Sequence, residues 1–509
     1  MRIVTQRVRA KNIMSVARKI LSNTAAQILG KAVIALLGLA VVKIATGYLS
    51  VEGYGEYIII YEFLAFFGIA ADLGLFTIAV KEMAEDEKNI PKIIGNILSL
   101  RTILVIATML LAIVTVFLIP KYADSRIPLG VAIASVTVIL TILNGTITSV
   151  LQTKLKMHLA SIATVIGKIF SVGFMVYVVF YGFPNDSTTG FYMLIVAGII
   201  GNLIMLITTN YFVKKITPIK YQFDPQLWKN VLIKSLPYGL ALILSTVYFR
   251  IDTILISFIR DESEVGVYGV AMRMLEQLTI LPLYFMNSVL PVLTKALKEK
   301  SEKYKQIIRY SFDFLAAMAV PIVVGGALLA YPIIFIVSTP EFLSRISEGF
   351  YGSDIAFQIL VFALLFQFFN ILFAFILIAV NKQSRLLYIN AVGVIFNIIT
   401  NLIFIPIYGF MGAAVTSVVS EFIIMIATFF AARKYVDFSL SGKSLIKITF
   451  SALVMGCAVH FLQPLTYAFL QNWNVVLLIV LGALIYVAML FLTRTVDKEM
   501  LKKIMSKEA

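Results

Sequence analysis

Long apolar runs separated by short polar connections make up most of the 509-residue chain. A bilayer crossing needs about 20 mostly apolar residues. Fourteen stretches qualify: 22–48, 55–80, 97–119, 127–152, 159–182, 189–213, 231–258, 265–294, 307–337, 354–380, 384–407, 410–432, 446–469 and 474–493. Within lipid each backbone amide must find its partner inside the segment, so these spans are predicted as helices. The narrowest boundary is Asn381-Lys382-Gln383, and the second span is the most polar. The predicted class is all-α: a polytopic membrane protein of about 14 transmembrane helices.

The apolar pattern is written twice. Tyr54-Gly55 recurs as Tyr268-Gly269, Glu62 as Glu276 and Ile93-Ile94 as Ile307-Ile308, all at an offset of 214 residues. Asn144 is answered by Asn370, and Tyr181-Gly182-Phe183 by Tyr408-Gly409-Phe410, as the offset grows to 226 and 227. With six spans per repeat, the two copies enter the membrane in the same direction. Such parallel repeats are a transporter signature, with the substrate path expected between the halves. Spans 13 and 14 fall outside the repeat.

Composition and charge then orient the bundle. Only 14% of the residues are charged and 60% are hydrophobic, against roughly a quarter charged in soluble domains. The net charge of +16 is distributed by side of the membrane. Alternate connections, starting with the N-terminus, hold 32 Lys and Arg, and the others hold four, Lys121, Arg126, Arg260 and Arg345. Cytoplasmic loops carry the excess of bases, so both termini are expected in the cytoplasm. The domain reading is a basic N-terminal segment 1–21, an N-lobe 22–213, a cytoplasmic linker 214–230, a C-lobe 231–432, spans 13–14 over 433–493 and a cytoplasmic tail 494–509. The bases Arg2 to Lys19 belong to a surface helix or a basic tail, and the first span is expected to be uncleaved.

Charge within a bilayer is costly and marks functional candidates. Arg101 and Lys234 lie within about a turn of the inner surface, where a long side chain can reach water. Lys43 lies near the outer end. Lys31, Lys168, Arg250 and Arg273 are deeper and are expected to face a wet cavity that attracts anions. Arg273 alternatively pairs with Glu276, three residues on and on the same helical face. The acids at depth are Glu62, Asp72, Asp252, Glu276, Asp313 and Glu421. Glu62 and Glu276 either pair with cations, take up protons, or form a contact closing the outer side; Lys43 is at a compatible depth for Glu62. The asparagines Asn144, Asn370, Asn390, Asn397 and Asn401 are expected to bond between helices.

Other chemistries find little support. Gly442-Lys443-Ser444 lacks the first glycine and the preceding strand of a phosphate-binding loop. Cys457, His158 and His460 offer no metal or nucleophile constellation, so neither cofactor nor metal is expected. A polytopic glycosyltransferase would need a sizeable acidic loop, and the longest outer connection, 338–353, holds only Glu341, Arg345 and Glu348. A structural assembly partner is a third reading.

Gly53-Tyr54-Gly55 leading into span 2, Asp72-Leu73-Gly74 within it, two six-span lobes and a terminal helix pair resemble one family: the polysaccharide-transporter, Wzx-like branch of the multidrug/oligosaccharidyl-lipid/polysaccharide flippase superfamily. The resemblance implies two bundles forming a V, in the plasma membrane. It implies a flippase moving a polyprenyl-(pyro)phosphate-linked oligosaccharide to the outer leaflet by alternating access, without covalent chemistry. Lys31, Lys168, Arg250 and Arg273 would bind the substrate; Glu62, Glu276, Lys43, Asp72 and Asp252 would serve gating or coupling. Implied partners are the lipid-linked substrate, membrane lipids and the glycosyltransferases or polymerase of the same pathway, not nucleic acid. Lipid II flippases and drug exporters of the superfamily are the alternatives. Lys31 and Lys43, with no acid in span 1, argue against a cation exporter.

Overall fold

A computed structural model describes residues 30–495. The basic segment 1–21, the start of the first span and the tail beyond Thr495 lie outside the described residues. Those described form helices joined by short turns, and one isolated bridge joins Arg345 to Phe350.

In chain order, the first repeat is built from α1 (Gly30–Tyr48), α2 (Val51–Asp72), α3 (Leu75–Glu85), α4 (Ile90–Phe117), α5 (Ile127–Thr153), α6 (Met157–Tyr177, continued by a π turn to Gly182) and α7 (Ser187–Lys214). The second comprises α8 (Pro225–Ile259), α9 (Glu262–Leu278), α10 (Ile280–Lys298), α11 (Lys303–Leu328), α12 (Ala330–Val337), α13 (Ser353–Ala379) and α14 (Ser384–Tyr435). A terminal pair, α15 (Gly442–Leu470) and α16 (Asn474–Leu492), follows.

Among the described residues, twelve continuous helical segments are long and apolar enough to cross a membrane. Two of them are too long for one crossing: α14 has 52 residues, which as a straight helix would be about 78 Å, against a hydrocarbon core of about 30 Å. Its backbone leaves helical geometry at Gly409 (φ 58°, ψ −141°), where the sequence places a boundary between spans. Similarly, Gln471–Trp473 forms a 3-10 turn between α15 and α16.

Local chemistry explains several ends. The Asp186 carboxylate accepts the N–H groups of Thr188 (3.1 Å) and Thr189 (3.0 Å) and starts α7. Asp261 accepts from the Glu264 N–H and starts α9. Such caps satisfy donors that a helix N-terminus leaves free. The predicted second span is broken: Leu73 (φ 44°) and Gly74 (φ 74°) are both left-handed, between α2 and α3. Gly74 tolerates that conformation and lies against α8, where an added Cβ would come within 2.8 Å of the Tyr238 Cβ.

The chain divides into two compact units. One holds the described residues through Leu49 together with Glu56–Val247; the other holds Ser50–Gly55 and the residues from Tyr248 onward. In the first, Leu75, Ile94, Ile97, Leu151 and Val213 pack α3, α4, α5 and α7 into a core. The 214–230 stretch docks on the start of α4: Asp224 N–H donates to Asn96 Oδ1 at 2.7 Å, and Gln222 N–H to Ser99 Oγ at 3.1 Å. In the second unit, Leu315, Phe368, Leu372, Ile448 and Leu478 join α11, α13, α15 and α16. Many large apolar side chains, such as Phe461, Phe469 and Ile479, are exposed. Apolar surface on this scale marks an interface, here with lipid: the chain is a multi-pass membrane protein.

Candidate functional site

In the first unit, acids and bases at depth are largely paired. Asp72 closes α2 just before the Leu73-Gly74 break, and Arg101 of α4 donates to its Oδ1. Arg101 is only 2% exposed, which corrects the expectation that it reaches the inner surface. Its Nε and Nη1 have no hydrogen-bond partner. Lys234 does reach outward, with a side chain 56% exposed, and pairs with Glu82 at 2.6 Å. Glu56 accepts both the backbone N–H (3.2 Å) and Nε (2.6 Å) of Arg126, whose guanidinium lies 4.4 Å over the Phe191 ring. Glu62 is buried, while Lys31 and Lys43 are exposed and Lys168 is partly exposed.

Outside the spans, two acids are held by donors. Thr189, through its hydroxyl and then its N–H, keeps the Asp186 carboxyl below the usual range. The Leu227 N–H, followed by the Lys92 ammonium, does the same for Asp224. Both are structural: each fastens a helix start.

The second unit holds a polar cluster built by four helices. α8 supplies Tyr248 and Asp252, α9 Tyr268, α13 Gln367, and α14 Asn397, Asn401, Ser417 and Glu421. Asn397 and Asn401 stand four residues apart before the Gly409 kink, and Ser417 and Glu421 four apart after it, so each pair shares a helical face. Asp252, 4% exposed, accepts from the Tyr268 hydroxyl at 3.1 Å, from the Asn401 amide at 2.6 Å and from the Ser417 hydroxyl. Asn401 also donates to Asn397 Oδ1 at 3.1 Å. Gln367 donates to Glu421 Oε1 at 2.9 Å.

Three buried acceptors in this cluster, Asn401 Oδ1, Gln367 Oε1 and Glu421 Oε2, have no donor. Gln367 and Glu421 line a cavity of about 30 Å³ together with Asp252, Asn397 and Ser417, room for about two waters. Two buried carboxylates held by neutral donors, beside unsatisfied oxygens, suit a proton or a small oxygen-loving cation. Among the described residues no group of three or more His, Cys, Asp and Glu forms a metal site.

The structure brings Asp252 together with Asn397 and Asn401, which were expected to bond between helices. Asn370 likewise bonds Thr428 at 2.8 Å. Arg273 pairs with Glu276 at 2.8 Å. The repeat-equivalent acids therefore differ: Glu62 is 6% exposed, whereas the Glu276 side chain is 39% exposed. Arg250 is partly exposed and, two residues from Asp252, leaves the helix on another side. Sequence reasoning noted Glu421 as an acid at depth but did not join it to Asp252; their partners Gln367, Ser417 and Tyr248 are individually ordinary. The signal was the pairing of Asn397/Asn401 with Ser417/Glu421 at helical spacing.

A model of polysaccharide biosynthesis proteins matches residues 20–297, more than half of the chain, and a MatE model matches residues 237–403. An uncharacterized membrane protein of Methanocaldococcus jannaschii, MJ1068, is 29% identical over 278 residues, 52% of each chain. A probable flippase of Haloferax volcanii, AglR, is 25% identical over 177 residues, 34% of this chain and 35% of that one. The matches thus span about half or less of these relatives' length. A solved structure of the lipid II flippase MurJ in an inward closed conformation superposes with a TM-score of 0.72 at 17% identity, over 93% of this chain and 99% of that one; this is a likeness of fold. The chain belongs to the polysaccharide biosynthesis protein family, the transporter branch that its short motifs resemble.

Proposed function

We propose that the protein is a flippase that moves a polyprenyl-(pyro)phosphate-linked oligosaccharide from the inner to the outer leaflet of the plasma membrane by alternating access. The observation that carries the reading is the family match over residues 20–297, the first repeat and the start of the second, supported by partial identity to a probable flippase. The chemistry is compatible. Phosphates are bound by Lys and Arg, and Lys31, Lys168, Arg250 and Arg273 supply such groups at span depth with at least partial exposure. A sugar chain needs a wet path, while the prenyl tail stays in lipid.

Glu62, Glu276, Lys43, Asp72 and Asp252 serve gating or coupling in this reading. Asp252 is the strongest coupling member, because its cluster offers acceptor oxygens without donors. Uptake of a proton or small cation there would change the charge of a buried site and bias one conformation over another. The protein performs no covalent step; its binding energy is spent on moving the head group.

The reading is tested in cells. Depletion should cause lipid-linked oligosaccharide to accumulate with its glycan inaccessible to an impermeant periodate or lectin added outside. Accumulation of unextended sugar precursors instead would point to a glycosyltransferase.

A further inference from the structure

A cavity lined by two bases lies away from all these residues, at the start of α14. The connection from α13 turns at Asn381, whose φ is 56°. Its turn is closed by the Lys382 N–H donating to Leu377 O at 2.8 Å and the Asn381 N–H donating to Ile378 O at 3.0 Å. This tight turn brings Lys382, Ser384 and Arg385 together with Tyr388 and, from the far end of the same helix, Tyr435. These five residues line a cavity of about 410 Å³. The Lys382 ammonium lies 5.2 Å from the centre of the Tyr435 ring. Neither Lys382 nor Arg385 forms an ion pair among the described residues. The neighbouring acid Asp437 is instead paired with Lys305 at 3.1 Å. The first turn of α14 carries no acid and has no side-chain cap, so its N–H groups add to the positive field.

Below this pocket the same helix continues as an apolar stripe. Tyr388, Val392, Ile395, Ile399 and Leu402 follow one another at spacings of four and three residues, and each is more than half exposed. Residues at such spacings share one face. Their 14-residue extent is about 21 Å at 1.5 Å per residue, enough for the chains of a lipid in one leaflet of a core about 30 Å thick. A soluble ligand would use the cavity and ignore the stripe; a two-chained lipid uses both.

We propose that Lys382, Ser384, Arg385, Tyr388 and Tyr435 form a head-group site for an anionic phospholipid of the cytoplasmic leaflet. The phosphate sits between the two bases and accepts from the phenols and the Ser384 hydroxyl, and the chains run along Val392, Ile395, Ile399 and Leu402. The charge pattern of the connections puts this turn on the cytoplasmic side, where anionic lipids attract bases at the membrane surface. The lipid would fasten the inner ends of α13 and α14, the helices that carry Gln367, Asn397, Asn401, Ser417 and Glu421. The site does not depend on what the protein transports.

The test is native mass spectrometry of the full chain in detergent, titrated with phosphatidylglycerol or with phosphatidylcholine of identical chains. Phosphatidylglycerol should bind more tightly. The Lys382→Gln/Arg385→Gln variant should weaken it about ten- to thirty-fold, with phosphatidylcholine unchanged. Lys295→Gln/Lys298→Gln, removing two exposed bases from the end of α10, should have no effect. Tyr388→Ala keeps both charges and should weaken phosphatidylglycerol by a smaller factor, an independent readout should the double variant fold poorly. Equal binding in wild type and the double variant, equal binding of the two lipids, or an equal loss in the α10 variant would overturn the proposal. So would displacement of the lipid by equimolar inorganic phosphate, which makes the site one for a free anion. Displacement by substoichiometric polyprenyl phosphate would likewise overturn it and assign the pocket to the transported lipid.

Discussion

At the scale of single residues, burial separates Arg101, which is sealed in the fold, from partly exposed bases such as Arg250. Arg101 is sealed against Asp72 beside the Leu73-Gly74 break. Removing one partner of a buried pair leaves an uncompensated charge. Arg101→Ala should therefore lower stability by about 3–5 kcal/mol, read as a large drop in the thermal midpoint in detergent. Arg101→Ala/Asp72→Ala should cost less than the sum of the two single changes. Arg250 is partly exposed, and Arg250→Ala should leave the melting midpoint close to that of the wild type while reducing flipping at least ten-fold. In the Asp252 cluster, Asp252→Asn keeps the shape and removes the charge; its amide oxygen can still accept from Asn401, and its NH2 faces the Tyr268 and Ser417 hydroxyls, which can turn to accept. It should insert, and it should lose any dependence of transport on a proton or cation. Normal coupled transport by that variant would remove the cluster from the mechanism. Residue spacing made the Arg273–Glu276 pair legible, because partners three apart on a helix are fixed by local geometry. It could not reveal Arg101–Asp72 or Asp252–Asn401, whose members are 29 and 149 residues apart. Depth in a span predicts distance to water but not which neighbouring helix faces a side chain.

At the scale of elements, apolar run length and punctuation carried most of the architecture. The Asn381-Lys382-Gln383 boundary and the Tyr408-Gly409 boundary both coincide with left-handed backbone, at Asn381 and Gly409. The break between α2 and α3 was not legible, because hydropathy continues through Leu73-Gly74 without a polar gap. At Gly409 two demands coincide. Its φ is 58°, and an added Cβ would stand 2.7 Å from Glu264 Oε1, while the other carboxylate oxygen accepts the Phe410 N–H at 2.7 Å and so starts the second half of α14. Gly409→Ala should therefore cost about 1–3 kcal/mol, seen as a lowered melting midpoint. An unchanged midpoint would mean that the kink does not need a glycine.

At the scale of the whole molecule, the division of bases among connections is the strongest long-range signal. Cysteines introduced at Asn185 and at Ser439, both exposed, in a Cys457→Ser background should react with an impermeant maleimide from opposite sides: position 185 in intact cells, position 439 only after permeabilisation. The reverse pattern would invert the topology and with it the direction assigned to transport. The two-fold repeat was legible in the order and spacing of spans, which survive sequence divergence because lipid constrains segment length; the family is shown by the match over residues 20–297. The identity of the transported molecule is not written in that pattern: in the proposed reading it depends on bases whose neighbours come from distant parts of the chain. The most direct measurement is made on the purified protein in liposomes containing a fluorescent polyprenyl-pyrophosphate-linked oligosaccharide in both leaflets. A membrane-impermeant quencher should reach about half of the label in empty vesicles and nearly all of it over time when wild-type protein is present, with Arg250→Ala close to empty vesicles. Quenching that stays at half with folded, inserted wild-type protein would contradict the account.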